Sequence, residues 1–478
     1  MRETAGVRQW AALEFQHADL GDARRRRRVI AMAAAVARAP GGKISEVFRS
    51  AAERQGAYDF VESKHVDAKA MVEAVGRACA QRSACEPFVF VAVDGTGLSV
   101  VDHDRAKDLG AIGGSRGEET RGVKVVTALA LDPGGVPIGI AAQRYWARPV
   151  RAAASRRVQK AESRRRTQQD KETEHWVEVV GDTSRRMRRA GGSPWFVIDR
   201  EGDSQAILLR LHAKGTRFTV RSAHDRLVED KSGHMTKLRQ SLAKQAPLGV
   251  YEFEVPATHK RAARRARVCI RVAEVLLHMR IHDTRYVQLM PVTAVWAHEV
   301  GTAPGQDPLD WVLLTNTRAG TLDEARLVVF SYTMRWRIEE MHRAWKSSVC
   351  GIEQTQLRSH SAVTRWAILH AAVATRAERL KHRGRQQPDL PASVELDAHE
   401  IRALILLKRR HKKRTETVPD GVPTLAQATR WLADLGGYTG SRSAGPPGTI
   451  TIERGLNHIR AAADVLRELD SPDDETNG

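Results

Sequence analysis

Three carboxylates and a set of cations carry the chemistry this chain could do. Asp94 closes the apolar run Phe88-Val89-Phe90-Val91-Ala92-Val93, Asp199 closes Trp195-Phe196-Val197-Ile198, and Glu339 lies in SYTMRWRIEEMHRAWKSS, residues 331–348. An oxygen-only donor set without histidine or cysteine suits Mg²⁺ or Mn²⁺. Two such ions can activate a water or a 3′-hydroxyl and stabilise the leaving oxygen of an in-line phosphoryl displacement. Taken singly, each aspartate also reads as a strand-end turn residue, and the glutamate as one member of a solvated salt-bridge face.

The elements that must position these groups follow from periodicity. In residues 331–348, Met334, Ile338, Met341 and Trp345 recur at steps of four, three and four, which predicts one helix with a buried stripe. Tyr332, Arg335, Glu339, Arg343 and Lys346 then share the opposite, exposed arc. The two apolar runs read as strands buried on both faces, although periodicity alone does not exclude a helix for the first, with Gly95-Thr96-Gly97 turning the chain after Asp94. The three acids stand too far apart in sequence for a local ligand motif. Only a fold that brings two neighbouring strand ends under one helix joins them, an arrangement in keeping with ligand sites at the carboxyl ends of strands in α/β sheets.

Around these, a helical section runs to about Val66, with Asp22 as N-cap of a helix that opens on Arg24, Arg25, Arg26, Arg27 and Arg28. That cluster is either a solvated face or a set of phosphate contacts, and the charge of the whole chain favours the second. Short helices are expected near residues 68–80 and 174–189. Val123–Leu131 and Val136–Ala142 are joined by Asp132-Pro133-Gly134-Gly135 as a hairpin. Residues 148–171 are dense in Arg, Gln and Lys, a solvated segment or a DNA contact. From about 215 to 314 the pattern alternates, as in Arg267 to Val272, and predicts a β-rich block. After a helix at 362–381, Arg383 to Pro391 reads as a linker to a small helical region, whose Leu456, Ile459, Ala463 and Leu466 serve as core or dimer contact.

Composition narrows the partners. Over 478 residues, 77 Lys plus Arg against 57 Asp plus Glu leave a net charge of +20, which calls for a polyanion, nucleic acid ahead of membrane. About three domains are expected at this length. Cys79, Cys85, Cys269 and Cys350 show no CxxC spacing and read as thiols in a reducing cytoplasm. The first ten residues lack the apolar core of a signal peptide, and no run of about 18 apolar residues occurs, so a soluble intracellular protein is expected.

Tyr332, Arg335, Glu339 and Lys346 carry the spacing of the YREK signature, and the chain resembles the DDE cut-and-paste transposases of the bacterial insertion-sequence family that includes the Tn-five type. LGDxRRxxR near Leu20, Gln55 to Phe60, the Asp199-Arg200-Glu201-Gly202-Asp203 run and Leu435-Gly436-Gly437-Tyr438 are similar to that family too. Two departures stand out: Gly95 follows Asp94 where relatives tend to have Thr or Ser, and Arg343 replaces a commoner Lys. Neither removes a charge or a ligand.

The resemblance implies an α/β fold: an RNase H-like catalytic core at 67–384 with a β-rich insertion at about 215–314. A helical DNA-binding domain at 1–66 and a helical dimerisation domain at 385–478 flank it. It implies Asp94, Asp199 and Glu339 as catalytic ligands of two Mg²⁺ or Mn²⁺ ions. Tyr332, Arg335, Arg343, Lys346, Arg24, Arg25 and Arg28 would contact DNA. Trp311 would stack on a flipped base, or is an ordinary core aromatic at a strand end. The implied reaction nicks double-stranded DNA at the terminal inverted repeats of the enzyme's own element, forms a hairpin through the new 3′-hydroxyl, and transfers the strand to target DNA from a homodimer. A non-catalytic DNA-binding relative and an RNase H-like nuclease are the alternatives; cytoplasmic residence beside the nucleoid and no membrane contact are expected.

Overall fold

The computed structural model describes residues 6–102, 107–113, 120–148, 171–255, 263–280, 286–302, 305–412, 417–440 and 445–470. Most of the basic 148–171 stretch and the acidic C-terminal tail therefore lie outside the described residues. Strands are β1 (Val89–Ser99), β2 (Gly110–Ala111), β3 (Arg121–Leu131), β4 (Pro137–Trp146), β5 (Pro194–Ile198), β6 (Arg217–Arg221), β7 (Leu227–Glu229), β8 (Met235–Lys237), β9 (Gly249–Val255), β10 (Arg264–Arg280), β11 (Val287–Glu299) and β12 (Asp310–Thr315). Helices are α1 (Val7–Phe15), α2 (Ala23–Arg38), α3 (Ile44–Val47), α4 (Ala51–Glu62), α5 (Ala68–Ser83), α6 (Thr173–Arg189), α7 (Gln205–Ala213) and α8 (Leu238–Ala243). They continue with α9 (Leu322–Thr333), α10 (Trp336–Arg343), α11 (His360–Gln386), α12 (Ala398–Arg410), α13 (Leu425–Leu435) and α14 (Thr449–Asp470).

The centre is one mixed sheet. β4, β3 and β1 form an antiparallel meander, and β5 then β6 add in parallel on the other side of β1. Three antiparallel strands followed by two parallel ones make the RNase H-like core. β6, the first strand of the alternating block, completes that core, and β12, β11 and β10 extend the same sheet outward from it. The apolar run in β1 is continuous because both faces are covered. Phe90 and Ala92 pack toward the C-terminal and N-terminal helices, Val89, Val91 and Val93 toward α6 and α7. Each fully buried valine or phenylalanine contributes roughly 1.5–3 kcal/mol relative to exposure.

β1 does not turn at Gly95-Thr96-Gly97, as the sequence suggested; it stays paired with β3 from Phe90↔Leu131 to Ser99↔Gly122. The glycines serve close approach instead of a turn: a Cβ at Gly97 would meet Ile112 at 3.1 Å. The hairpin over Asp132 to Gly135 is present, its turn closed by Gly135 N donating to the Asp132 carbonyl.

Helix α2 starts at Asp22, whose carboxylate accepts from the Arg24 amide at 2.7 Å. The N-terminal helices share a core with α11. Trp366 donates to the Gly42 carbonyl, Arg365 to the carbonyls of Val61 and Val66, and His370 contacts that of Gly41. Helix α11 runs on to Gln386, so Arg383 to Gln386 are helical rather than linker, and Arg383 pairs with Glu395 at 3.0 Å. Leu456, Ile459 and Ala463 of α14 are buried against α12 and α13, as core. Among the described residues no helix is long and apolar enough to cross a membrane.

Candidate active site

Parallel pairing of β1 with β5 ends at Val93↔Ile198, so Asp94 and Asp199 each follow one partner of the same register pair. The two residues are thereby neighbours across the sheet, at the point where β1 passes from buried to half-exposed residues. Asp94 accepts from its neighbour's amide, Gly95 N, at 2.9 Å. Asp199 leaves the end of β5 and opens the short 3₁₀ turn Arg200–Gly202.

The segment expected to be one helix is three pieces. Helix α9 ends at Thr333, α10 begins at Trp336, and residues Ala344–Ser348 form a π turn. The first break has a local cause. Ser331 and Thr333 turn their hydroxyls back to the carbonyls of Val328 and Phe330, each at 2.7 Å, in competition with the helical ladder. At the second, Val349 N reaches the Ala344 carbonyl, and the Ser347 and Ser348 hydroxyls both turn to that of Arg343. The apolar stripe survives both breaks, since Met334, Ile338, Met341 and Trp345 are all buried.

The polar arc does not survive as drawn. Tyr332 and Arg335 are buried, and they face the acids instead of solvent. Tyr332 donates to Asp199 Oδ1 at 2.9 Å, and Arg221 Nη1 stands 3.4 Å from the same hydroxyl. Arg335 Nη1 lies 2.7 Å from Glu339 Oε1 and its Nη2 3.8 Å from Asp199 Oδ2. Glu339 itself stays half-exposed, and Arg343 is exposed. Lys346 is half-buried and 3.4 Å from Glu353, which also accepts from Ser99 N at 2.8 Å. The lysine is therefore tethered to the far end of β1.

Trp311 stands near the start of β12 rather than at its end, buried edge-on against Tyr332 (5.2 Å), Phe253 (5.8 Å) and Trp336 (6.1 Å). With Arg200, Arg221, Arg239 and Trp336 it lines an open cavity of about 470 Å³. Away from the acids, Arg24 and Arg28 are exposed on α2, while Arg25 is partly covered and donates to the Leu20 carbonyl at 2.9 Å.

Charge separates the two aspartates. Burial pushes Asp94 up to about 7, Glu201 and Glu339 adding to it against the pull of Arg335. Burial also raises Asp199, but Arg335, the Arg200 amide, the Tyr332 hydroxyl and Arg221 outweigh it, and the net shift is downward. Arg335 is thus shared among more negative charge than it can balance. An oxygen-only set of Asp94, Asp199 and Glu339 around a single arginine has the donor chemistry that suits a divalent cation. Glu201, exposed and acting on Asp94, is a fourth acid that sequence reasoning passed over, although it stands two residues after Asp199.

Among the described residues, Glu340, Glu378 and His382 bring one potential ligand atom each within 4.8 Å of one another. Lys381 is paired with both of those carboxylates, so the group is a salt-bridge network and not a metal centre.

Family models match along the chain in the order DNA-binding, catalytic, dimerising. Transposase DNA-binding covers residues 7–66, Transposase DDE domain residues 143–376, and Transposase Tn5 dimerisation domain residues 372–472. Asp199 and Glu339 fall inside the second; Asp94 lies between the first and the second.

Proposed function

We propose, given that this chain belongs to the DDE transposases of the Tn5 type and is thus a metal-dependent enzyme that cleaves DNA and transfers strands, a cut-and-paste route at the ends of its own insertion element. The observation that carries the reading is the alignment of Asp94 and Asp199 behind one register pair, with Arg335 linking Asp199 to Glu339.

Residues 1–66 would grip DNA, 67–384 would hold the chemistry with the β-rich insertion following the core strand β6, and 385–478 would pair two protomers. Asp94, Asp199 and Glu339 would hold two Mg²⁺ or Mn²⁺ ions. Bound there, the ions supply Lewis-acid stabilisation to the oxygens of an in-line phosphoryl displacement. Tyr332 and Arg335 keep Asp199 ionised and aimed, the tyrosine by its hydrogen bond, the arginine by charge. Arg343 and Lys346 meet phosphates flanking the scissile bond, Lys346 by exchanging Glu353 for a phosphate oxygen. Arg24, Arg25 and Arg28 contact the backbone farther out, where charge supplies affinity without reading sequence.

Hydrolysis of one strand leaves a 3′-hydroxyl that attacks the phosphodiester of the opposite strand and displaces the 3′-oxygen of the flanking DNA, closing a hairpin at the element end that water later reopens. A base extruded in that step would enter the cavity beside Trp311, whose arginines offer partners for its phosphate and whose indoles offer stacking. Opening of the hairpin frees the end for strand transfer into target DNA.

The deciding experiment incubates full-length wild type and Glu339→Gln with DNA carrying the element's own terminal repeats, in Mg²⁺, Mn²⁺ or EDTA. Hairpin-ended product from wild type alone, and only with metal, is expected. Binding without cleavage in every metal would overturn the cut-and-paste reading in favour of a non-catalytic relative, and linear ends without hairpins would favour a nuclease.

A further inference from the structure

Between α10 and α11 runs a closed set of charges that phosphoryl transfer does not use. Glu340, the residue after Glu339, faces three basic side chains: His382 Nε2 at 2.8 Å, Arg337 Nη1 at 3.3 Å and Lys381 Nζ at 3.4 Å. Lys381 and His382 also face Glu378, one turn back on α11. Glu378 in turn accepts from Thr449 Oγ1 at 2.6 Å, and Thr449 is the first residue of α14. Glu378, Lys381 and His382 are all buried. Arg337 adds a second tie, donating to the Gly135 carbonyl at the tip of the β3–β4 hairpin.

The geometry points to Glu340 as the positioning residue for Glu339. Helix α10 is only eight residues long and is interrupted at both ends, so neither flanking helix fixes its rotation about its own axis. Successive helical residues project about 100° apart, so pinning one sets the direction of the next. Glu340 pins α10 to α11, and Glu339 is thereby aimed at the sheet ends that carry Asp94 and Asp199. The chain of contacts through Glu378 to Thr449 extends the pin to the C-terminal helices, so the region matched by the dimerisation model bears on the aim of the glutamate. Removing Glu340 would leave the buried Lys381 and His382 facing Glu378 alone, and the rotation of α10 would rest on the packing of Ile338 and Met341 without its polar tie to α11. This inference rests on Glu339 being one of the metal-holding carboxylates.

The test uses full-length protein on terminal-repeat DNA: wild type, Glu339→Gln, Glu340→Ala and Glu340→Gln. End binding is read by titration, cleavage as a single-turnover rate after Mn²⁺ addition, and Mn²⁺ occupancy by electron paramagnetic resonance. Glu340→Ala is expected to bind ends within about twofold of wild type, to cleave at least about tenfold more slowly, and to need about threefold more Mn²⁺ for half-occupancy. Glu340→Gln, which keeps an acceptor for His382, should regain most of the rate. Wild-type cleavage and Mn²⁺ occupancy in Glu340→Ala would overturn the assignment, as would loss of DNA binding in step with cleavage. If Glu340→Ala does not fold, Thr449→Val carries the test: slower cleavage with intact end binding supports the pin, and an unchanged rate overturns it. Failure of wild type itself to cleave would count against the proposed reaction, and Mn²⁺ occupancy would still decide for Glu340: wild-type occupancy in Glu340→Ala overturns its positioning role.

Discussion

The indole of Trp176 lies against Gly95, where an added Cβ would meet its Cζ2 at 3.0 Å, and the same ring stands 3.5 Å from a Cβ built at Gly202. One buried aromatic on α6 therefore packs beside the residues that follow both aspartates, and it leaves little room for a side chain at position 95. Gly95→Thr should force that ring aside and destabilise the fold by roughly 1–3 kcal/mol. Paired with Trp176→Leu it should recover most of the loss; thermal unfolding of the two variants decides, and a Gly95→Thr protein that melts like wild type sinks the account.

Arg335→Ala should abolish cleavage while sparing end binding, because it takes the shared cation from between Asp199 and Glu339. Its cost to stability should stay below the roughly 3–5 kcal/mol of breaking a fully buried pair, since Glu339 is half-exposed. Arg335→Lys keeps the charge but cannot span both carboxylates, so its cleavage rate should fall between the two. Denaturant unfolding and single-turnover cleavage would check both; a lysine variant as fast as wild type would show that charge alone suffices.

Lys346→Ala should weaken end binding and lower the slope of log affinity against log salt by about one unit. Binding isotherms between low and moderate salt give that slope directly. An unchanged slope would mean that Lys346 keeps Glu353 as its partner in the DNA complex.

His342 is buried, and burial, with Lys346 nearby, holds its imidazole down to about 3. The folded protein thus refuses a proton that the unfolded chain accepts below its ordinary value of 6.5. The resulting stability is complete above that value and is lost progressively as pH falls from there toward 3. His342→Phe should flatten this part of the acid slope; denaturant midpoints at pH 7.5 and 5.5 that fall equally in variant and wild type would contradict it.

Much of the fold was legible because its signals are local and redundant. The runs Phe88 to Val93 and Trp195 to Ile198 are short, wholly apolar and rich in Val and aromatics, which favours a covered strand over a buried helix, and the Asp132 to Gly135 turn is spelled out in its residues. Breaks on either side of α10 were invisible for an equally physical reason. Met334, Ile338, Met341 and Trp345 keep helical spacing across them, while the hydroxyls of Ser331 and Thr333 that interrupt the ladder leave no mark on periodicity. Gly95 and Gly97 were misread as a turn because the need for them comes from Trp176 and Ile112, partners that sequence does not bring near. The burial of Tyr332 and Arg335 likewise depends on Asp199, which meets them only through the sheet.

The shared core between the N-terminal helices and α11 bears on any attempt to redirect the enzyme. Trp366, Arg365 and the Nε2 side of His370 meet carbonyls of residues 41–66, and those residues in turn cover the apolar flank of α11. A recognition segment with a different backbone path there would strand an indole N–H, a guanidinium and an imidazole in a dry interior. Redirecting the enzyme therefore means moving the first 66 residues together with the one flank of α11 that fits them.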